Sequence, residues 1–291
     1  MVRRALARGT RARQALATAS EVLGEDLERR FAGPDGVRPR DNRDVQLSVF
    51  LTNHLHLLAL QDAGIDATLS LGLSLGEYNH LVHVGAIAFE DAVRLVSARG
   101  EAYDAGPRGM MVAIVGPDAE AVDAVARAHG VAISNYNGPT QHVIAGPNEG
   151  VEAASAVLED EHYAMTFVIE RHVPMHSPTF EAAAAAFEPA LRAVSWSSTS
   201  RYFPNVEGAP RPQSTAEDIV ASLRAHVSRA VQWARSMDWI ATHHPTATLI
   251  EVGPGRVLFD LARRGWPQLS RLRTDEGDPA RMGERIRDVA R

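Results

Sequence analysis

A single serine between two glycines is the residue whose setting most directly indicates chemistry. Residues 72–77 read Gly-Leu-Ser-Leu-Gly-Glu; they follow the mostly apolar run 67–71 and precede an amphipathic stretch over 75–84. This order predicts a strand, a sharp turn and a helix, which would hold the hydroxyl of Ser74 at the tip of the bend. The N–H of Leu75, at the start of that helix, would point to where an oxyanion forms. The alternative is an ordinary Gly-rich turn capped by serine.

A serine hydroxyl needs a base within hydrogen-bond reach before it can act as a nucleophile. The sequence contains 12 histidines, so the presence of histidine alone decides nothing. His176 differs from the others because it lies in Pro-Met-His-Ser-Pro, residues 174–178, which predicts a stiff turn. We expect His176 to be the general base. A surface or core histidine is the alternative.

Arg99 lies one helix beyond the serine, in Ser-Ala-Arg-Gly-Glu, residues 97–101. A guanidinium group can bind a carboxylate through two parallel hydrogen bonds, and its charge does not titrate in the physiological range. In the functional interpretation, Arg99 would bind a carboxylate group of the substrate. A solvated helix arginine is the alternative.

Five motifs, taken in order, resemble those of the acyl carrier protein S-malonyltransferases and the acyltransferase domains of polyketide synthases. They are Gly-Leu-Ser-Leu-Gly-Glu-Tyr at 72–78, Arg-Gly at 99–100, Asn-Tyr-Asn at 135–137, Val-Pro-Met-His at 173–176 and Glu-Val-Gly-Pro-Gly at 251–255. The resemblance covers nearly the whole chain. It implies that Ser74 carries a malonyl group from coenzyme A to the phosphopantetheine thiol of an acyl carrier protein, in fatty-acid or polyketide biosynthesis.

The resemblance also implies roles for further residues. In the family a main-chain carbonyl orients the base. The residue that supplies this carbonyl is usually Gln, and the matching residue here is His226. Arg99 matches the family's carboxylate-binding arginine. Met175, a bulky residue just before the base, would favour malonyl over methylmalonyl groups, although one methylene typically changes selectivity by only about 1–3 kcal/mol. Asn137 falls in a segment that faces the active-site cleft in the family; a polar strand end is the alternative.

The order of predicted elements indicates an α/β protein with two domains. Residues 109–172 read as strand, helix, strand, strand, helix and strand, which is the order of a ferredoxin-like domain. This small domain would be inserted into a large domain formed by residues 1–108 and 173–291. For the large domain the resemblance implies an α/β-hydrolase-like fold with a central parallel sheet.

Family members normally begin with a short strand and a Gly-Gln-Gly loop, whose glutamine N–H is one of two oxyanion donors. The sequence shows neither feature, so Leu75 is the only recognisable donor. We expect the native start to lie upstream; a change of role is the alternative.

Composition narrows the function classes. The 291 residues are 45% apolar with a formal charge of −6, which gives no reason to expect nucleic-acid binding. Because there is no cysteine, disulfides, thiolate metal sites and a cysteine nucleophile are excluded. Neither a secretion signal nor a membrane span is recognisable, so we expect a cytoplasmic protein, most simply a monomer. The histidine pairs form no known ligand motif, and the implied reaction needs neither metal nor redox cofactor.

Two other functions remain open from the sequence. Water could replace the carrier thiol, which would make the chain a hydrolase that clears stalled thioesters. Alternatively, the chain could be a non-catalytic remnant that only binds carrier protein.

Overall fold

The structure is a computed structural model that describes residues 2–6, 9–33, 41–276 and 281–289. The chain divides into two compact units, Met1–Gly100 with Ile240–Arg291, and Glu101–Trp239. Thirteen α-helices, one short 3-10 helix (Pro178–Phe180) and six strands are assigned within the described residues. The helices are α1 (Val2–Leu6), α2 (Thr10–Leu23), α3 (Leu27–Ala32), α4 (Asn42–Asp62), α5 (Gly76–His83), α6 (Phe89–Asp104), α7 (Ala119–Ala128), α8 (Asn148–His162), α9 (Glu181–Ala193), α10 (Ala216–Ser228), α11 (Trp233–His243), α12 (Val257–Gly265) and α13 (Met282–Val289). The strands are β1 (Met110–Val115), β2 (Ala132–Gly138), β3 (Gln141–Gly146), β4 (Met165–Glu170), β5 (Thr248–Glu251) and β6 (Ser270–Arg273).

Helix α4 is the central element of the first unit. It begins where the side chain of Asp41 accepts a hydrogen bond from the N–H of Asp44 at 2.8 Å, a standard N-terminal cap. Its apolar residues at helical spacing are fully buried, and it packs against α1, α2 and α5. These buried residues are Leu47, Phe50, Leu51 and Leu55. Helix α4 therefore supplies the surface on which the Ser74 segment rests.

The predicted parallel sheet is present only as a pair of strands within the described residues. β5 and β6 run parallel, from Thr248 opposite Ser270 to Glu251 opposite Arg273. The strand predicted over residues 67–71 is wrong, because these residues carry no strand assignment. A strand requires a neighbour for its N–H and C=O groups, and among the described residues none pairs with this run. The apolar composition of residues 67–71 favoured a strand, but it carries no information on whether a neighbouring strand is present.

The second unit contains a four-stranded antiparallel sheet in the order β2-β3-β1-β4. The element order β1-α7-β2-β3-α8-β4 matches the order predicted for residues 109–172. One face of the sheet packs against α7 and α8 through a core that includes Val112, Ile144 and Leu158. The opposite face carries a smaller apolar cluster that includes Met111 and Val143.

Residues beyond 172 also belong to the second unit. The N–H of Tyr136 donates to the carbonyl of Val231, and the N–H of Val231 donates to the carbonyl of Ser134, each at 2.9 Å. This parallel bridge extends the β2 edge of the sheet, and α9 packs against α10. The predicted domain boundaries at 109 and 172 stay a prediction.

No helix in the described part of the chain is long and apolar enough to cross a membrane.

The stability of the first unit is expected to depend on the protonation of His54. This ring is buried on α4, stacked 4.2 Å from Phe89, and burial lowers the pKa of His54 from 6.5 to about 4. Because the folded pKa lies below the unfolded one, the unfolded chain takes up the proton first as the pH falls. The contribution of neutral His54 to the unfolding free energy is therefore complete above pH 6.5 and is lost as the pH falls from 6.5 through 4. His54→Phe should therefore reduce the loss of unfolding free energy between pH 7 and pH 4 by up to about 3 kcal/mol.

Urea unfolding at several pH values measures this difference. His243→Phe is the control, because His243 is exposed. Parallel stability curves for wild type and His54→Phe would show that the buried ring carries no such penalty.

Candidate active site

Ser74 occupies a strained position immediately before α5. Its backbone φ is 51°, in the left-handed region that residues other than glycine rarely adopt. The turn is closed by the N–H of Gly76 donating to the carbonyl of Leu73 and the N–H of Glu77 donating to that of Ser74, each at 3.0 Å. Leu75 directly precedes α5, so the helix begins one residue later than predicted, and the role of Leu75 as oxyanion donor stays a prediction. Such strain persists only where the surrounding structure enforces it, and it is concentrated at functional sites.

Gly72 permits the close packing of this turn. A Cβ atom at residue 72 would lie 2.0 Å from the backbone of Gly76, far inside van der Waals contact. The glycine that precedes the serine is therefore required for space, because the turn folds back on the start of α5.

Arg99 is buried in the first unit beside the serine. The side chain is 2% exposed, and Nη2 donates to Ser74 Oγ at 3.3 Å. The guanidinium also lies 5.7 Å from the centre of the Tyr78 ring, in cation–π geometry. A solvated helix arginine is therefore the wrong description of this residue. A cation at this position stabilises negative charge that develops near the serine hydroxyl.

Gln46 is a residue of the site that the sequence analysis missed. Arg99 Nη1 donates to Gln46 Oε1 at 2.6 Å, and Gln46 Nε2 donates to Asn42 Oδ1 at 2.7 Å. Asn42 thus fixes the orientation of the Gln46 amide so that its oxygen faces the guanidinium. The sequence contained one signal for a buried role of Gln46: it is a polar residue on the apolar face of α4, beside the buried apolar residues 47, 50 and 51.

The approach of α6 to α4 depends on Gly100. A Cβ atom at residue 100 would lie 2.4 Å from Cα of Arg43. Arg43 Nε in turn donates to Ser97 Oγ at 2.7 Å. Because the two helices touch at this glycine, the neighbouring Arg99 reaches Gln46.

His176 lies in the second unit and is also strained, with φ 59°. The ring Nδ1 of His176 is 2.5 Å from the carbonyl oxygen of His226. The backbone N–H of His176 donates to the carbonyl of Val227 at 3.0 Å. A carbonyl can only accept, so Nδ1 carries a proton, and in the neutral ring the lone pair is then on Nε2. The His226 ring stacks on that of His176, with centres 4.5 Å apart. The contact expected between His176 and the main chain of His226 is present; the catalytic roles stay predictions.

Met175 and Asn137 both lie in the second unit. Met175 is partly buried against the apolar face formed by β1 and β3. Asn137, on β2, is 9% exposed, and its Oδ1 has no hydrogen-bond partner within the described part of the chain. Their predicted contacts with substrate stay predictions.

The motif at residues 251–255 has a structural role. The carboxylate of Glu251 accepts hydrogen bonds from the N–H groups of Leu258 and Phe259 at 3.0 and 2.9 Å, which caps α12. Burial raises the pKa of Glu251, and these two hydrogen bonds oppose that shift. Among the described residues, no group of three His, Asp or Glu side chains is placed to hold a metal ion.

The acyl transferase domain family matches residues 34–289. The chain belongs to this family. The family resemblance inferred from the five motifs is thereby confirmed, and Ser74, Leu75 and Arg99 fall in one compact unit of this acyl transferase domain. His176, His226, Met175 and Asn137 fall in the other unit.

Individual relatives agree with this assignment. The chain is 36% identical over 213 residues to the malonyl CoA-acyl carrier protein transacylase of Salmonella typhimurium, covering 70% of this chain and 68% of that protein. It is 32% identical over 257 residues to the polyketide biosynthesis protein ThaF of Burkholderia thailandensis; this covers 86% of the chain but spans only 22% of ThaF. The crystal structure of the acyl-carrier-protein S-malonyltransferase from Burkholderia pseudomallei 1710b matches with a TM-score of 0.89 at 29% identity, over 98% of this chain and 94% of that one.

The Ser74 turn provides a paired test of the packing at its two glycines. Gly72→Ala should destabilise the protein by at least about 2 kcal/mol, because the added methyl group collides with backbone that cannot move away cheaply. Gly76→Ala is the matched control: a Cβ there meets nothing within 4 Å and Gly76 begins α5 without a positive φ, so a gain of about 0.4–1 kcal/mol is expected because alanine restricts the unfolded chain.

Chemical denaturation of both variants measures the difference. Equal stability of Gly72→Ala and Gly76→Ala would contradict this geometry.

Proposed function

We propose that the chain transfers a malonyl group from coenzyme A to the phosphopantetheine thiol of an acyl carrier protein through a malonyl-serine intermediate. The observation that carries this proposal is the buried Arg99, whose Nη2 lies 3.3 Å from Ser74 Oγ. A cation held at this distance from a nucleophile favours acyl groups that carry a carboxylate. The names of the Salmonella and Burkholderia relatives support the same donor and acceptor.

In the proposed mechanism, Ser74 Oγ attacks the thioester carbonyl while His176 Nε2 accepts the hydroxyl proton. The N–H of Leu75 donates to the oxyanion of the tetrahedral intermediate. The C–S bond then breaks, and the imidazolium returns its proton to the departing coenzyme A thiolate. In the second half, His176 accepts the proton of the carrier thiol and the sulfur attacks the ester carbonyl. The C–O bond to Ser74 then breaks, the imidazolium returns the proton to Ser74 Oγ, and the malonyl group leaves as the carrier thioester.

The proposed roles of the other residues follow from their contacts. The carbonyl of His226 holds the proton of His176 on Nδ1, which keeps Nε2 available as the base. Gln46 holds one arm of the Arg99 guanidinium so that the other arm faces Ser74, where it binds the malonyl carboxylate. Met175 and Asn137 are proposed to contact the acyl group.

We propose that the chain has the two domains expected from the sequence, a large α/β domain and a small ferredoxin-like domain. We infer a ferredoxin-like assignment for the four-stranded sheet with α7 and α8, because its strand order and antiparallel pairing fit that fold. We also propose that the large domain has an α/β-hydrolase-like fold. The protein is proposed to act in the cytoplasm and to need no cofactor.

Intact-protein mass spectrometry after incubation with malonyl-coenzyme A tests the intermediate. We expect wild type to gain the mass of one malonyl group and Ser74→Ala to gain none. His176→Ala should acylate at least about 100-fold more slowly, since general bases contribute about 10²–10⁴-fold.

Adding holo acyl carrier protein separates the alternatives. Transfer predicts that the malonyl mass moves to the carrier, whereas hydrolysis predicts free malonate and an unmodified carrier. Carrier binding that persists in Ser74→Ala, with no adduct on wild type, would make the chain a non-catalytic binder.

The selectivity for a carboxylate should depend on Arg99. Arg99→Ala removes charged hydrogen bonds worth about 1.5–3 kcal/mol, so kcat/KM for malonyl-coenzyme A should fall roughly 10- to 150-fold relative to acetyl-coenzyme A. Gln46→Glu should act in the same direction, because the new carboxylate would pair with the guanidinium. Arg94→Ala is the matched control, since Arg94 lies on the same helix but is exposed and pairs with Asp91. Equal losses for both thioesters in Arg99→Ala would refute the carboxylate contact.

A further inference from the structure

A mostly buried ion pair in the first unit reaches the helix that carries Arg99. The side chain of Arg43, in the first turn of α4, is 14% exposed. Arg43 Nε donates to Ser97 Oγ at 2.7 Å, and Ser97 lies on α6, two residues before Arg99. Nη1 and Nη2 of Arg43 donate to the two carboxylate oxygens of Glu25 at 3.4 and 2.6 Å. Arg43 therefore connects Glu25, in the segment between α2 and α3, to α6.

The backbones of α4 and α6 approach each other at the same point. A Cβ atom at Gly100 would lie 2.4 Å from Cα of Arg43. Ser97 and Gly100 are three residues apart and share one face of α6, and Arg43 and Gln46 have the same spacing on α4. Two hydrogen bonds cross this contact in opposite directions, from Arg43 to Ser97 and from Arg99 to Gln46. The side chain of Arg43 thus holds against α4 the turn of α6 from which Arg99 projects.

The backbone on both sides of Glu25 is fixed. The N–H of Glu25 donates to the carbonyl of Ser20, and the carbonyl of Glu25 accepts from the N–H of the fully buried Leu27, each at 3.0 Å. The side-chain hydrogen bond from Arg43 lowers the pKa of Glu25, so the carboxylate is charged at neutral pH. A guanidinium that donates to both oxygens of one carboxylate has a defined orientation. Glu25 therefore determines which way Arg43 Nε points.

The charges around Arg43 balance one another. Arg30 also donates to Glu25, and Nη2 of Arg30 lies 2.5 Å from the carboxylate of Asp44, whose side chain is 1% exposed. The cluster thus contains two guanidinium groups and two carboxylates. Because its net charge is zero, the cluster adds little long-range field at Arg99. What Arg43 supplies to Arg99 is therefore a fixed position.

We propose that Arg43 is a positioning residue for Arg99, and that the Glu25–Arg43 pair thereby contributes to the selectivity for acyl groups that carry a carboxylate. This inference rests on the proposed function, because it takes Arg99 as the group that binds the substrate carboxylate. Arg99 Nη2 is 3.3 Å from Ser74 Oγ, beyond the usual hydrogen-bond range, so a small displacement of α6 is enough to break this contact. Residues that act on a site from outside typically change its energetics roughly 2- to 30-fold.

A double-mutant cycle between Arg43 and Ser97 tests the proposal. The measured quantity is the selectivity ratio, kcat/KM for malonyl-coenzyme A divided by kcat/KM for acetyl-coenzyme A. Arg43→Met keeps the apolar stem and should lower this ratio about five- to tenfold, and Ser97→Ala should lower it about threefold. Because both changes remove the same hydrogen bond, the double variant should lose no more than about the loss of Arg43→Met alone. A change that only destabilises the fold would lower both rates equally and leave the ratio unaltered.

The chain offers a matched control at the other end of α4. Arg11 pairs with Asp62, the last residue of that helix, at 2.6 Å. Arg11→Met therefore removes an arginine–carboxylate pair from the same helix without touching α6, and the selectivity ratio should equal that of wild type. Urea unfolding of every variant identifies any that is not folded under the assay conditions. Ser97→Ala removes a single hydroxyl group, so it carries the test if Arg43→Met does not fold.

Hydrogen exchange of the Arg99 guanidinium provides a readout that does not depend on activity. Arg99 is 2% exposed, so its N–H groups should exchange slowly with solvent. The NMR signal of its Nε–H is assigned by its absence from the spectrum of Arg99→Ala. Arg43→Met and Ser97→Ala should each accelerate this exchange at least about threefold, whereas Arg11→Met should leave it unchanged.

The outcomes separate this inference from the proposed function. If Arg99→Ala loses the preference for malonyl while Arg43→Met and Ser97→Ala keep it, the positioning role is wrong and the proposed function stands. Losses that simply add in the double variant would also overturn the role, because the shared hydrogen bond would not be their cause. A wild type with no preference for malonyl would refute the proposed function instead. The exchange of Arg99 then decides the positioning role alone, and equal rates in wild type and both variants would end it.

Discussion

The burial of one guanidinium organises the first unit. Removing a cation from water is costly unless its donors find acceptors, so the groups around Arg99 must be held in place. Gln46 from α4, Ser74 from the turn and the Tyr78 ring from α5 converge on this side chain, which itself projects from α6. Three helices and the nucleophile segment are therefore joined through one residue.

Backbone strain marks the two residues proposed to do the chemistry. Ser74 and His176 have φ values of 51° and 59°, and Tyr163 is the one other non-glycine residue with positive φ among those described. At Ser74 the strain is maintained by Gly72, whose lack of a side chain lets the turn fold back on α5. At His176 it is maintained by hydrogen bonds to two successive carbonyls, those of His226 and Val227. Rigid surroundings of this kind hold a nucleophile and a base in fixed orientations.

Local pattern predicted the small sheet well and the large unit less well. The segments 110–115, 141–145 and 165–170 alternate sharply with helical stretches and turn residues, so each could be located without knowledge of its neighbours. The run 67–71 is apolar for a different reason: it leads into a crowded turn but has no pairing partner within the described residues. Periodicity reports burial, whereas strand assignment also requires a partner that periodicity does not reveal.

The site shows the same division between local and long-range information. Ser74 and Arg99 were predicted because each lies in a short motif, and the main-chain contact of His226 followed from the family resemblance. Gln46 was missed because it is 53 residues from Arg99 in sequence, and only folding brings the two together.

The last residue of β4 and His176 lie six residues apart in sequence, and hydrogen bonds hold the chain between them. Glu170, the last residue of β4, accepts hydrogen bonds from the N–H groups of Arg171 and His172 at 2.7 and 2.8 Å. The carbonyl of His172 then accepts from the N–H of Gly109 at 3.2 Å. These contacts end the strand and fix the chain before it enters the His176 turn.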